Sequence, residues 1–268
     1  MQRSEPRLAP ATKDLVWFRG VDTINFLNDL ISQEIATLAP GSVTRSLLLG
    51  PRGKLDHILW VLRGDDEVGL ITDAGRGAEL AATLSRYRIR VKVDIEEPLS
   101  GWLVLGDFDM DASRWHHVDG RVIADLPWHG PRMTLATGEK PDLPQVSEEE
   151  MNRIRVEAAE PRFGVDVDDS TIPQESGLVS DTVDFDKGCY LGQELVARID
   201  SRGHVNRHLR RLEIEGPEAE VGAEIVSGDR PVGTLTSVAG DLGLALLRRE
   251  VKPGSRVKVG GEDATVRS

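Results

Sequence analysis

Cysteine is nearly missing from this chain. Among 268 residues there is one, Cys189. A single thiol excludes an internal disulfide and a four-cysteine zinc site, and it excludes an iron–sulfur cluster held by the chain's own thiolates alone. Long apolar runs are missing too. The longest, Ile58-Leu59-Trp60-Val61-Leu62, is far too short to span a bilayer. The first residues, MQRSEPRLAPATKD, contain no apolar leader, so the expected location is cytoplasmic. An excess of positive charge is also absent: 33 Lys and Arg stand against 45 Asp and Glu, a formal net charge of −12. That argues against general affinity for nucleic acid or for an anionic membrane. Several catalytic patterns do not occur. The six histidines form no H-E-x-x-H, and no Ser-centred hydrolase elbow is present. Gly50-Pro-Arg-Gly53-Lys54 lacks the spacing and the Ser or Thr of a P-loop. His116 and His117 are adjacent, so on a strand they diverge.

With 39% hydrophobic and 29% charged residues, the composition fits a globular protein with a sizeable core. Residues 1–13 read as a loose, Pro-containing arm. Asp22 can cap a helix whose apolar positions run from Ile24 to Leu38, with Pro40-Gly41 as the stop. Val43–Leu49 and Leu55–Leu62 read as strands flanking a Gly-Pro-Arg-Gly turn. Val68–Thr72 reads as another strand, Gly77–Tyr87 as a helix and Arg90–Ile95 as a strand. Pro98–Gly101 is a plausible junction. Short strands follow at Trp102–Leu105, Arg121–Ala124 and Met133–Ala136. Ser147 with Glu150 forms a capping-box pattern for a helix ending before Pro161, and Glu148 to Glu150 suit its first turn. Residues 161–188 lack periodicity, and a short helix fits Gly192–Ile199. From Leu209 onward five or six short β runs alternate with Gly or Pro turns, the texture of a small barrel or sandwich.

The densest cluster of chemistry is Asp186-Lys187-Gly188-Cys189-Tyr190-Leu191-Gly192-Gln193-Glu194. A thiol beside Lys187 and near helix-N-terminal amides has its thiolate favoured by both. The competing reading makes Cys189 a small buried hydrophobe in a loop-to-helix corner.

KGCYLGQELVAR resembles the K-G-C-Y-x-G-Q-E signature of the YgfZ family, folate-binding proteins related to the glycine-cleavage T-protein. Further segments resemble the same family: Gly20-Val21-Asp22…Phe26-Leu27, Leu49-Gly50-Pro51-Arg52-Gly53-Lys54, Arg155-Val156-Glu157-Ala158 and Ile172-Pro173-Gln174-Glu175. The resemblance implies an α+β fold, a T-protein-like ring of modules around a central cavity with a small C-terminal β-barrel. The expected division is an N-terminal folate-binding module at 1–98, a second module with the signature at 99–202, and the barrel at 203–268. It implies tetrahydrofolate as cofactor, and iron–sulfur enzymes or cluster-assembly proteins as partners. Catalytic roles then fall to Cys189 and Lys187. Folate binding falls to Arg155, Glu157, Tyr190, Gln193 and Glu194, with the Glu157 carboxylate accepting two hydrogen bonds from the pterin's amino-pyrimidine edge. A surface Glu at a helix end is the bland alternative.

One departure bears on reaction type. T-proteins carry an acidic pair shortly after the turn glycine, where this chain has His57 and Ile58; Asp56 sits one position early. In a regular strand that offset points Asp56 to the opposite face. His57 is then a ligand contact or an ordinary hydrogen-bonded strand histidine. Three readings follow: an accessory factor for iron–sulfur proteins, an aminomethyl- or methyltransferase of T-protein type, and a binding module that kept the fold. Arg198, Arg202, Arg207, Arg210 and Arg211 lie close together in an acidic chain. They read either as a solvated connector or, at Arg198 or Arg202, as a dock for the folate glutamate tail.

Overall fold

The computed structural model describes residues 5–106, 111–216 and 219–267, except for the Arg202 side chain. It divides into two compact units, residues 1–147 with 181–193, and residues 148–180 with 194–268.

The first unit is built on one antiparallel sheet of nine strands. Its long central strand is β1 (Arg7–Arg19). The expected loose arm is therefore mostly sheet: Pro10 lies in β1 where the pairing with its neighbour is interrupted between Leu8 and Thr12, a place that tolerates a residue without an N–H. β2 (Ser42–Leu49) and β3 (Leu55–Arg63) form the expected hairpin, followed by β4 (Glu67–Asp73). A two-residue strand, β5 (Asp94–Ile95), pairs with β1; it is far shorter than the strand expected over 90–95. β6 (Leu99–Leu105), β7 (Trp115–Val118), β8 (Arg121–Asp125) and β9 (Met133–Thr137) complete the sheet in the order β2-β3-β4-β1-β6-β9-β8-β7. β1 and β6 are neighbours, so residues on either side of the expected 98/99 junction share one sheet.

Two short helices cover one sheet face. α1 spans Thr23–Asn28 and α2 spans Gly77–Ser85. Phe26 and Leu27 of α1 and Leu80 and Leu84 of α2 pack on Val16, Phe18, Leu48, Leu59, Val61, Val68 and Leu70. Burying each such side chain contributes about 1.5–3 kcal/mol relative to leaving it exposed. The helix expected from Asp22 to Leu38 stops after six residues. Ile31 and Ile35 still enter the core, but as irregular chain: Ile31 bridges Leu48, and Asn28 Oδ1 accepts the Ile35 amide at 2.8 Å. Asp22 does not cap the helix; its carboxylate accepts the Lys92 amide at 2.7 Å. The opposite face carries tryptophans. Trp17 and Trp115 meet with ring centroids 5.2 Å apart, and Lys13 and Arg45 lie over the Trp60 ring.

The second unit contains α3 (Glu148–Glu157), which starts directly after Ser147 as its acidic first turn leads one to expect. A 3₁₀ turn (Pro173–Glu175) and α4 (Val179–Thr182, bridging the two units in sequence) interrupt the expected long loop, and α5 (Gln193–Arg202) is the helix expected over 192–199, three residues longer at its end. β10 (Arg207–Ile214), β11 (Glu224–Ser227), β12 (Arg230–Ala239), β13 (Leu242–Arg248), β14 (Arg256–Val259) and β15 (Glu262–Arg267) close into a barrel in the order β10-β13-β12-β11-β14-β15. Inward residues at alternate positions, among them Leu212, Ile214, Val257, Val259, Ala264 and Val266, fill it. Val156 of α3 packs on Leu209, Ala239, Leu242 and Leu244.

Candidate functional site

The Lys187–Gln193 loop belongs to the first unit, and its anchoring explains its residue types. Lys187 Nζ donates to three backbone carbonyls at the end of α1 and just beyond: Asn28 at 2.7 Å, Ile31 at 2.9 Å and Gln33 at 2.9 Å. Asn28 is the last residue of α1, where carbonyls lack intrahelical partners, and Ile31 and Gln33 lie in the irregular chain beyond it. Burial pushes the ammonium down to about 8, against the pull of Glu34, Asp184 and Asp29. Lys187 is thus a positioning residue, fastened to carbonyls. The amide of Leu191 donates to Asp29 O at 3.2 Å, and its side chain packs on the helix-side core. Gly192 closes the loop at φ +79°. A Cβ there would lie 2.6 Å from Gly50 O and 3.1 Å from Gly53 Cα. Only glycine lets the loop sit this close to the β2–β3 turn. The segments around Phe26-Leu27 and Gly50–Gly53 are therefore brought together by the signature itself.

What the anchoring leaves outward is the middle of the loop. Cys189 is exposed, as are Gly188, Asp186 and Phe185. The reading of Cys189 as a buried hydrophobe is overturned. Helix α5 begins four residues beyond the thiol, so Cys189 stands before the helix rather than in its first turn. Tyr190 is half-buried, and burial raises its phenol to about 12. Its amide donates to Gln193 Oε1 at 3.1 Å, so Gln193 is used to hold the loop end.

The second unit holds the remaining expected residues. Arg155 is buried and makes four contacts with protein. Nη1 donates to Asp166 Oδ2 at 2.6 Å and to Glu160 O at 3.1 Å. Nη2 donates to Asn152 Oδ1 and Ser237 Oγ, both at 2.7 Å. Burial lowers its pKa although Asp166 opposes that shift. Arg155 ties α3 and the loop after it to the barrel. Glu157, two residues on, points outward with its side chain 56% exposed, and Arg153 Nη2 is 4.0 Å away. Glu194 and Arg198 pair one helical turn apart on α5, both exposed. Arg207 pairs with Glu175 at 3.1 Å, and Arg211 donates to Glu157 O at 2.6 Å. The arginine-rich stretch is largely a set of local pairs. The Arg202 side chain lies outside the described residues.

His57 is the buried strand histidine expected. Its Nδ1 lies 3.0 Å from Thr72 Oγ1, and burial first, then Arg76, lowers its pKa to about 4, so the ring is neutral at pH 7. The expectation that Asp56 points away from it does not hold. Strand pairing sets Leu48 opposite His57 and Leu49 opposite Leu55, skipping Asp56. That bulge breaks the strict alternation of the strand, and Asp56 Oδ1 comes to 4.0 Å from His57 Nε2. Asp56 also lines a pocket of about 370 Å³ with Gly50, Glu79, Arg86, Tyr87 and Leu191. Sequence reasoning missed Glu79 and this pocket.

Comparison with known proteins places these features in a class. The solved structure of the glycine cleavage system aminomethyltransferase T from Bartonella henselae superposes with a TM-score of 0.86, covering 99% of this chain and 86% of that one at 16% identity. The class is therefore a T-protein-like α+β fold with a closed C-terminal barrel. Residues 206–268 match the family described as CAF17, C-terminal beta-barrel domain. The mouse mitochondrial iron–sulfur cluster assembly factor IBA57 is 28% identical over 90% of this chain and 76% of its own length. A mitochondrial IBA57 homologue from Phaeosphaeria nodorum is 24% identical over 93% and 71%. A Haemophilus influenzae protein is 25% identical over 83% and 80%. Over most of its length the chain is similar to these IBA57 relatives, and at its C-terminal end to the CAF17 barrel family.

Proposed function

We propose that this protein is an accessory factor in the assembly or maintenance of iron–sulfur proteins, with tetrahydrofolate as its bound cofactor. The observation that carries the reading is the signature loop. Lys187, Leu191 and Gly192 are fastened to the sheet and its turns, while the one thiol of the chain stays exposed. A lone thiol cannot hold a cluster without further ligands, so in this reading a partner protein or a small-molecule thiol supplies them. The named role of the IBA57 relatives supports the same reading. Among described residues the Glu157 carboxylate makes no hydrogen bond, and its exposure suits it to accept a pterin's paired N–H groups. Arg155 is engaged by protein and does not serve as a folate contact in this reading.

The test is complementation of a strain lacking its own YgfZ-type protein, scored by iron–sulfur enzyme activity. Wild type is expected to restore activity, and Cys189→Ser, expressed to the same level, to fail. Full rescue by the serine variant removes the thiol from the function, and failure of well-expressed wild type removes the reading. Calorimetry with tetrahydrofolate supplies the cofactor arm: binding is expected, and without aminomethyl transfer to glycine-cleavage partners. Transfer would establish the aminomethyltransferase alternative.

A further inference from the structure

Asp56 and His57 are neighbours on β3, yet the bulge at Asp56 turns both toward one spot. Glu79 reaches the same spot from the first turn of α2. One ligand-type atom from each of the three lies within 4.8 Å of the others. His57 is fully buried, and its Nε2 has no hydrogen-bond partner among the described residues. His57 Nδ1 lies 3.0 Å from Thr72 Oγ1, and in the tautomer in which Nδ1–H donates to that hydroxyl, Nε2 carries the lone pair, the arrangement that fixes a metal-binding imidazole. The 4.0 Å from Nε2 to Asp56 Oδ1 is too long for a hydrogen bond. It is close to the spacing of about 3.4 Å between two ligands of a tetrahedral ion bonded at roughly 2.1 Å.

Asp56 and Glu79 also line the pocket described above, which offers entry and room for water ligands. Arg76 is the competing cation. Its Nε lies 3.0 Å from Glu79 Oε2, its Nη2 3.9 Å from Asp56 Oδ1, and its Nη1 donates to Asp56 O at 2.9 Å. The Asp56 and Glu79 carboxylates face the Arg76 guanidinium, with Arg86 a second cation in the pocket lining and Asp73, paired with Lys13, a further carboxylate near the imidazole.

We propose that Asp56, His57 and Glu79 form a binding site for a divalent transition-metal ion of zinc type. His57 Nε2 supplies the nitrogen ligand, the two carboxylates supply oxygen, and the pocket supplies the open positions. An imidazole with carboxylates selects zinc and its neighbours over magnesium or calcium, which take all-oxygen sets. Arg76 holds the carboxylates when no ion is bound and yields Glu79 to the ion.

The test is titration of Zn²⁺ into the full-length Cys189→Ser protein, which removes the exposed thiol as a rival ligand. Binding is followed by calorimetry and by competition with a chromophoric chelator. One saturable site per chain is expected, with no comparable site for Mg²⁺. Glu79→Gln, on an exposed side chain whose loss leaves the core intact, is expected to weaken binding at least tenfold, as is Asp56→Asn. Arg76→Gln is expected to tighten it severalfold. Absence of stoichiometric Zn²⁺ binding overturns the proposal. So does binding that Glu79→Gln and Arg76→Gln both leave unchanged, since that metal sits elsewhere. Equal affinity for Mg²⁺ overturns the assigned class of ion.

Discussion

At the scale of single residues, neighbours in the signature have divided tasks. Lys187 stands two positions from the thiol, which suggests an activating role in sequence. Its ammonium instead serves three carbonyls around α1. Lys187→Met keeps the aliphatic stem and removes all three donors. The carbonyls left behind are partly buried, so water repairs some of the loss. A destabilisation of about 1–3 kcal/mol is expected, read from the urea midpoint at unchanged slope. A change within about 0.5 kcal/mol would show that the ammonium is not an anchor. Cys189→Ser is expected to stay within that narrower range, because the thiol is exposed and isosteric replacement disturbs no packing.

Among the elements, the contact between the signature loop and the β2–β3 turn carries the most information. Gly192 and Gly188 look equivalent in the sequence and are not equivalent in place. Gly192 has φ +79° and no room for a Cβ, whereas Gly188 has nothing within 4 Å of one. Gly192→Ala is expected to cost about 1–3 kcal/mol through strain and loop displacement. Gly188→Ala is expected to remain within about 0.5 kcal/mol. Thermal melts of the pair decide the matter, and equal losses would mean that the loop does not rest on the turn. The same scale explains two misread elements. The apolar spacing from Ile24 to Leu38 looks helical, yet Ile31 and Ile35 are buried by a chain that has already left the helix. β7, with the sequence Trp-His-His-Val, is short and its two histidines obscure the alternation; the signal it does carry is the Asp119-Gly120 turn, both residues at positive φ, which pairs it with β8.

On the scale of the whole molecule, each unit has its own centre of stability. In the second unit this is Asp166, fully buried, which accepts Arg155 Nη1 at 2.6 Å, the Arg162 amide at 3.0 Å, Thr236 Oγ1 at 2.6 Å and Ser237 Oγ at 2.7 Å. One carboxylate thereby joins α3, the segment after it and barrel strand β12. Asp166→Ala strands a buried guanidinium, and a loss of about 3–5 kcal/mol is expected. Because the two units are separate compact bodies, hydrogen exchange is expected to accelerate across β10–β15 and α3 far more than in the nine-stranded sheet. Uniform acceleration would contradict that division. Among the described residues of the Arg198–Arg211 stretch, Arg198 and Arg207 are paired with Glu194 and Glu175.

Taken alone, the amino-acid sequence determined the elements whose signals are local. The hairpin around Gly50–Gly53 follows from its turn residues, and the barrel from alternating apolar positions punctuated by Gly and Pro. The acidic start of α3 and the special character of the segment from Lys187 to Glu194 are equally legible, because each depends on residues close in the chain. Tertiary structure alone decided what depends on distant partners. It decided that Lys187 binds carbonyls near residue 30, that Arg155 faces Asp166 and the barrel, and that Glu79 joins Asp56 and His57. It also decided the bulge that puts Asp56 beside His57. A bulge is a property of how two strands pair, and the strand that carries it shows only a continuous β pattern.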